Sequence, residues 1–484
     1  MRHESIKDAR RVRIWLSLAA LVLVAAGGCA PAPVQRGRAP IAAGAPRARN
    51  VILMISDGAG FNAFDAASYY QHGHLGGQVY DAWPVALACA THPRPAGVGD
   101  GLYDPAEFWT DFNRAIAGKS TDSAGAATAL YTGQKTYYGA VSVNDDHEAL
   151  TTIAERADAA GLRAGAVTSV QLSHATPACL AAHNRSRGHY AAIAREMIYG
   201  RTLDVLIGGG HPEYDHNAQP VADDQRDAHY VGGTDTWEAL KAGTTGKGWT
   251  LIDSADDFVR IATGDGRAPR RLLGVPRCRK TLQYDRNGEQ TGALNAGVPD
   301  LATLTTAALR TLSRPRADGR EGPGFVLMVE GGAVDWANHG NNLGRMIEEQ
   351  ADFNRAVEAV AAWVGQHSSW SDTLVIVTSD HECGGLWGPE AGAPLHFQPV
   401  VNRGAGQMPG AAYFSGGHTN ALVPVYARGP GAALLRRCVR GDDPVYGPYI
   451  DNTDIHAVMD AVLPDPAPRD AEASRAPAAA GAHP

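Results

Sequence analysis

Charge is sparse in this chain. Only 19% of its 484 residues are Asp, Glu, Lys or Arg, and the formal net charge is −8. A negative balance argues against a nucleic-acid partner, whose phosphates call for a basic surface. Cysteine is scarce too. The six residues show no spacing that reads as a disulfide framework, and the sequence assigns no pairs. There is no internal repeat and no linker-like stretch between about 49 and 464, so that region reads as one domain. A nucleotide-binding P-loop is lacking as well: residues 243–248 have the wrong spacing and end in Gly248, where a metal-binding Ser or Thr belongs. Gly208-Gly209-Gly210 reads as a strand exit. What the chain does have is apolar residues (44%), Gly 56 and Pro 29, enough for a sizeable core with many loops.

The N-terminus is a targeting segment. Arg2, Lys7, Arg10, Arg11 and Arg13 precede an apolar run over 14–26, too short to cross a membrane comfortably. Residues 1–29 are expected to be a signal peptide. The run closes Ala26-Gly27-Gly28-Cys29, similar to a bacterial lipoprotein box, so Cys29 is the expected lipidated residue and ordinary cleavage the alternative. Arg10-Arg11 fits twin-arginine export poorly. The expected location is the periplasm or the cell surface, with acyl chains as the membrane contact. Residues 30–48 read as a tether and 465–484 as a Pro/Ala-rich tail. Without Cys29 five cysteines remain, so at least one thiol lies outside any internal pair.

Short β-branched runs mark buried parallel strands at 50–56, 164–170, 203–207, 324–329 and 373–379, with helical periodicity at 149–160, 189–199 and 344–363. The implied fold is α/β, a central, mostly parallel sheet sandwiched by helices. Residues 211–300 read as peripheral elaboration, and Asp451-Asn-Thr-Asp454 as the cap of a last helix. Three of the strands exit into acidic residues: Asp57, then Glu330 with Asp335 and His339, then Asp380-His381. In open α/β sheets functional groups gather beyond the carboxyl ends of the strands. Several carboxylates converging there imply cations between them. Between these lies KSTDSAGAATALYTG at 119–133, an Asp-Ser pair before a small-residue helix. Asp122 or Ser123 would cap that helix, leaving the Ser123 hydroxyl where free amides and the positive dipole end favour an anion.

Six ordered motifs then speak together: VILMISDG, STDSAGAATA, SHATPACLAAHNRSR, MVEGGAVDWANH, VTSDHE and SGGHT. They resemble the alkaline phosphatase family, metal-dependent enzymes with a serine nucleophile, over about 49–464. The resemblance implies a three-layer α/β/α fold, a homodimer, and hydrolysis of phosphate monoesters. It implies two Zn²⁺ sites, Asp335/His339/His418 and Asp57/Asp380/His381 with Ser123, and one Mg²⁺ site at Asp57, Thr176 and Glu330. It also implies that Arg187 grips phosphate and that His174 and Trp336 stand behind the ligands. Cys383 is read as a small neighbour of the metal motif, His183 as structural and Ser120 as packing. The alternatives are a phosphodiesterase or sulfatase-like relative, and a surface lipoprotein that binds metal or phosphate without turnover.

Overall fold

Every residue of Asn50–Ser56 (β1) is buried. Val51, Leu53 and Ile55 enter one hydrophobic core, while Ile52 and Met54 enter another. A strand alternates its side chains, so an apolar run buried on both faces demands cover on both. The computed structural model describes residues 44–94, 102–117, 120–288, 292–392 and 396–466. The expected signal segment, Cys29, most of the tether and nearly all of the tail lie outside them.

The sheet adds β2 (Val85–Ala90), β3 (Arg163–Gln171), β4 (Val205–Gly209), β5 (Trp249–Ile252), β6 (Arg271–Gly274), β7 (Phe325–Gly331), β8 (Thr373–Thr378), β9 (Val423–Arg428), β10 (Gly441–Asp443) and β11 (Gly447–Asp451). The strand order is β10-β11-β2-β9-β8-β1-β7-β3-β4-β6-β5. Every neighbouring pair from β8 to β5 is parallel, whereas β9 runs antiparallel to β8 and β2. The expected mostly parallel sheet is therefore present.

Helices cover both faces. They include α1 (Phe61–His72), α2 (Ser123–Thr132), α3 (Ala175–Ala181), α4 (Leu301–Ser313), α5 (Ala333–His339), α6 (Leu343–His367) and α7 (Asn452–Val462). Ala124, Ala127 and Leu130 of α2 join Val458 and Val462 of α7 in the first core. Leu304 and Ala308 of α4 join Val357 and Val360 of α6 in the second. All ten residues of α2 are buried, and only small side chains allow such an approach: a Cβ on Gly125 would meet Thr121 Oγ1 at 2.9 Å.

The five expected strands are found, with one shift. β7 continues through Glu330 to Gly331, so that carboxylate projects from the strand rather than from the loop after it. The helical runs appear as Ile153–Ala159, Tyr190–Tyr199 and α6. Asp451 caps α7 in a capping box with Asp454. The reading of 211–300 as peripheral needs correction, because it supplies β5 and β6 and so extends the sheet. Four-residue strands are too short for their periodicity to show in sequence. The five described cysteines are all buried, and Cys89, Cys179, Cys278 and Cys383 are free thiols; no described helix is long and apolar enough to cross a membrane.

His183 is structural, as expected, tying Ile153–Ala159 to Tyr190–Tyr199. Its backbone N–H donates to Glu196 Oε1 at 2.9 Å, and its ring lies 3.6 Å from Glu155 Oε2 and 3.4 Å from Glu196 Oε1. Burial alone would lower its pKa, but the two glutamates raise it to about 10. A raised folded pKa contributes stability in full below the unfolded value of about 6.5, and that contribution fades as pH climbs through the folded value. His183→Gln should therefore cost about 1–2 kcal/mol at pH 6, allowing for partial exposure. The gap to wild type should close towards pH 10.5. Thermal melts across that range check this, and a pH-independent gap would refute it.

Candidate functional site

β1 delivers Asp57, β7 delivers Glu330, and β8 delivers Asp380 and His381 to one edge, all with 0% exposure. The turn after β1 is fixed by Gly58. Its φ is +68°, and a Cβ there would stand 2.6 Å from Asp335 Oδ1, so both conformation and space require glycine. Gly58 N donates to Asp380 Oδ1 at 3.0 Å, and Asn338 Nδ2 donates to Gly58 O at 2.9 Å. Behind the edge, Ser56 Oγ donates to Gln350 Oε1 of α6 at 2.6 Å. That buried support was not legible in sequence.

On α5, Asp335 and His339 stand four residues apart and share one face. His339 Nδ1 bonds Gly416 O at 2.7 Å, and His418 Nδ1 bonds Thr121 O at 2.8 Å. A carbonyl can only accept, so both rings carry their proton on Nδ1 and turn an Nε2 lone pair inward. Those two Nε2 atoms lie 3.0 Å apart, and 3.5 and 3.3 Å from Asp335 carboxylate oxygens. Two lone pairs at that distance repel unless a cation or proton lies between them. Cys383 Sγ belongs to the same cluster, but it is occupied at 3.8 Å with Asp335 O, and burial pushes its thiol far up.

Two further clusters have ligand atoms within 4.8 Å of one another, Asp57/Asp380/His381 and Asp57/His174/Glu330. His174 thus stands among possible ligands rather than behind them. Trp336 lines the same cavity as Ser123 and Arg187, with its ring 5.8 Å from that of His174. Asp57 Oδ1 and Oδ2, Asp380 Oδ2, Glu330 Oε1, Asp335 Oδ1, His381 Nδ1, His174 Nδ1 and Thr176 Oγ1 are all buried without a hydrogen-bond partner. Orphaned buried polar atoms are costly singly, and eight converging on one edge fit cations. The electrostatics agree. Burial, then Asp380, Asp335 and Glu330, raises Asp57 well above the carboxylate range. Burial lifts Glu330 to about 7 and Asp380 to about 6. Burial alone would lower His418, but Asp335 lifts it to about 9, so that without a cation a proton takes the Nε2 position. Only added positive charge lets the carboxylates ionise together.

Asp122 proves to be the N-cap of α2, accepting from Gly125 N at 3.0 Å, and Ser123 is the first helical residue. Ser123 Oγ lies 3.3 Å from His381 Nε2. The other oxygen of Asp122 holds Arg187 Nη1 at 2.9 Å, while Arg187 Nη2 bonds His174 Nε2 at 3.1 Å. Burial, reinforced by Arg187, pulls His174 down to about 3, so its neutral ring can accept. Two contacts leave three of the five guanidinium N–H groups free. The sequence showed Asp122 as a possible cap, not as the anchor of Arg187. Ser123, Arg187, Asp335, His339 and His418 line one cavity of about 560 Å³.

The sequence model of the alkaline phosphatase family matches residues 48–412. The chain belongs to the alkaline phosphatase family. It is 30% identical to the streptomycin-6-phosphate phosphatase of Streptomyces griseus, over 93% of this chain and 96% of that one. It is 31% identical to alkaline phosphatase 3 of Bacillus subtilis over 55% of its own length, and that match spans half of the relative. Among solved structures, a mutant TAB5 alkaline phosphatase with Mg bound in its M3 site superposes at a TM-score of 0.60, with 26% identity over 86% of this chain and 99% of that one. The family is metal-dependent, and the three clusters are the candidate metal sites of this chain.

Asp122→Asn separates capping from the hold on Arg187, since an amide oxygen still caps but carries no charge. Melting temperature should stay within about 3 °C, while kcat/KM for a phosphate ester should fall about tenfold. Unchanged kcat/KM would show that Arg187 needs no anchor.

Proposed function

We propose that the chain hydrolyses phosphate monoesters to an alcohol and inorganic phosphate through a phosphoserine on Ser123, with two Zn²⁺ and one Mg²⁺. The observation that carries this reading is Ser123 Oγ at the start of α2, 3.3 Å from His381 Nε2 and in one cavity with Arg187. The imidazole-bearing groups, Asp335/His339/His418 and Asp57/Asp380/His381, suit Zn²⁺, whereas Asp57, Thr176 and Glu330 offer the all-oxygen set that Mg²⁺ prefers, with His174 at hand. When bound, such cations neutralise the phosphate, favour an ionised serine and lower the pKa of water.

The chain's own groups do the positioning. Ser123 attacks phosphorus in line: its Oγ–P bond forms, the ester P–O bond breaks, and the alcohol leaves. Water then displaces Ser123 from the opposite side and releases phosphate. The free N–H groups of Arg187 meet two non-bridging oxygens as a fork. The α2 N-terminus adds positive potential at the attacking oxygen. The N-terminal segment supports export with a lipid anchor at Cys29, to the periplasm or cell surface, and family resemblance supports a homodimer.

Ser123→Ala should lower turnover of p-nitrophenyl phosphate by about 10³-fold or more. Its zinc content should stay that of wild type, and chelated wild type should regain activity with Zn²⁺ and Mg²⁺. Near-wild-type turnover by the variant would remove the covalent step.

Arg187→Ala should lower kcat/KM for p-nitrophenyl phosphate at least about tenfold more than for bis-p-nitrophenyl phosphate. A diester has one of the two oxygens blocked and carries less charge. Equal losses on both substrates would make Arg187 structural and remove the main argument for monoesters over diesters.

A further inference from the structure

The opposite edge of the sheet carries a second charged feature. Loops at the amino ends of β3, β4, β6 and β7 enclose a cleft of about 1480 Å³. Eight arginines and three aspartates line it, without lysine or glutamate. In a chain of net charge −8 this is a local excess of five positive charges. Among the lining residues, the ion pair within 4 Å is Arg320 with Asp318.

The inner arginines are held by carbonyls, which fix them without neutralising them. Arg163 Nη1 donates to Leu312 O and Arg314 O at 2.7 and 2.6 Å. Arg310 donates to Ala262 O and Thr263 O at 3.0 and 3.1 Å. Burial, then Arg314, pulls the Arg163 pKa down to about 10. Asp204 is the carboxylate among them, and burial raises it in spite of Arg314, Arg163 and Arg271.

The chain also enters the domain at this edge. Arg49, just before β1, donates to Gly322 O at 2.8 Å, and a Cβ on Gly322 would meet Arg163 Nη1 at 3.2 Å. Residues 30–49 contain Arg36, Arg38, Arg47 and Arg49 and no acidic residue. They reach at most about 70 Å when fully extended, so an acyl group on Cys29 would keep this edge near a bilayer. The Ser123 site lies beyond the other ends of the same strands, about 23 Å away along the seven residues of β1.

We propose that this arginine cleft is a docking surface for an anionic phospholipid bilayer, taking phosphate headgroups while the hydrolytic site faces outward. Fixed guanidinium groups with free N–H donors suit phosphate oxygens. Polybasic surfaces next to an anchor are drawn to anionic leaflets. The hydrolytic chemistry lies at the opposite edge and plays no part in this binding.

The full chain is tested by co-sedimentation with phosphatidylcholine vesicles, with and without about one-third phosphatidylglycerol. Any acyl anchor contributes to both vesicle types, so the ratio of affinities reports the cleft. Wild type should prefer the anionic vesicles, and 0.5 M salt (about a 4 Å screening length) should abolish the preference. Arg267→Glu/Arg270→Glu should reduce the preference about 25-fold or more, at about fivefold per arginine, with p-nitrophenyl phosphate turnover unchanged. Turnover serves as the folding control, and Arg316→Glu gives an independent charge reversal in the same cleft. Equal binding to both vesicle types overturns the proposal. So does an anionic preference that survives both variants, or binding of soluble polyphosphate by wild type without preference for anionic vesicles.

Discussion

Buried like charges at one sheet edge are the constraint on which the rest of the structure depends. Asp57, Glu330 and Asp380 have no exposed surface, and the lone pairs of His339 and His418 confront each other at 3.0 Å. Uncompensated, such an arrangement favours protonation or local opening, because desolvation penalises each ionised carboxylate and neighbours penalise it again. Cations reverse the sign of every one of these interactions. The parallel strands hold the groups in place because their ends are fixed by ladders buried on both faces, with β1 between β7 and β8.

That dependence explains why single small residues matter. Gly58 is pinned between Asp380 and Asp335, so a side chain there would displace two candidate ligands at once. Gly60 is similar: a Cβ would stand 2.4 Å from Glu382 Cγ, and Glu382 is itself held by Thr419, next to His418. The candidate ligands are thus tied to one another through backbone and buried polar contacts. A change at one should be felt at the others, so their mutational effects should not add.

Strand exits were legible in the sequence because β-branched runs ending in Asp or Glu combine two local signals, a period and an abrupt change of polarity. His418 had no such signal, because the strand that holds it, His418–Thr419, is only two residues long, and only the ordered motifs singled it out. What stayed illegible was contact between distant segments. Asp122 grips Arg187 across 65 positions, and Ser56 meets Gln350 across 294. Asp122 had a sufficient local role as a cap, so nothing in its neighbourhood pointed to a second one. Resemblance placed His174 only behind the third site, and no local signal put its ring within reach of Asp57 and Glu330. Strands β5 and β6 were missed because their span is shorter than the window in which a period can be read.

Burial grades the site from mouth to base. The side chain of His339 is 42% exposed and that of His418 10%, whereas those of His381 and Asp57 are 0%. A cation held by Asp335, His339 and His418 would be the more accessible to water, and one held by Asp57, Asp380 and His381 the less. In the proposed mechanism the outer position would suit the side on which an alcohol departs and water enters, and it should exchange its metal faster than the inner one. The inner position suits a serine kept dry and charged. Under the proposed mechanism, one parallel sheet would give two neighbouring groups of similar ligands opposite tasks, through how far each stands from solvent rather than through the residue types.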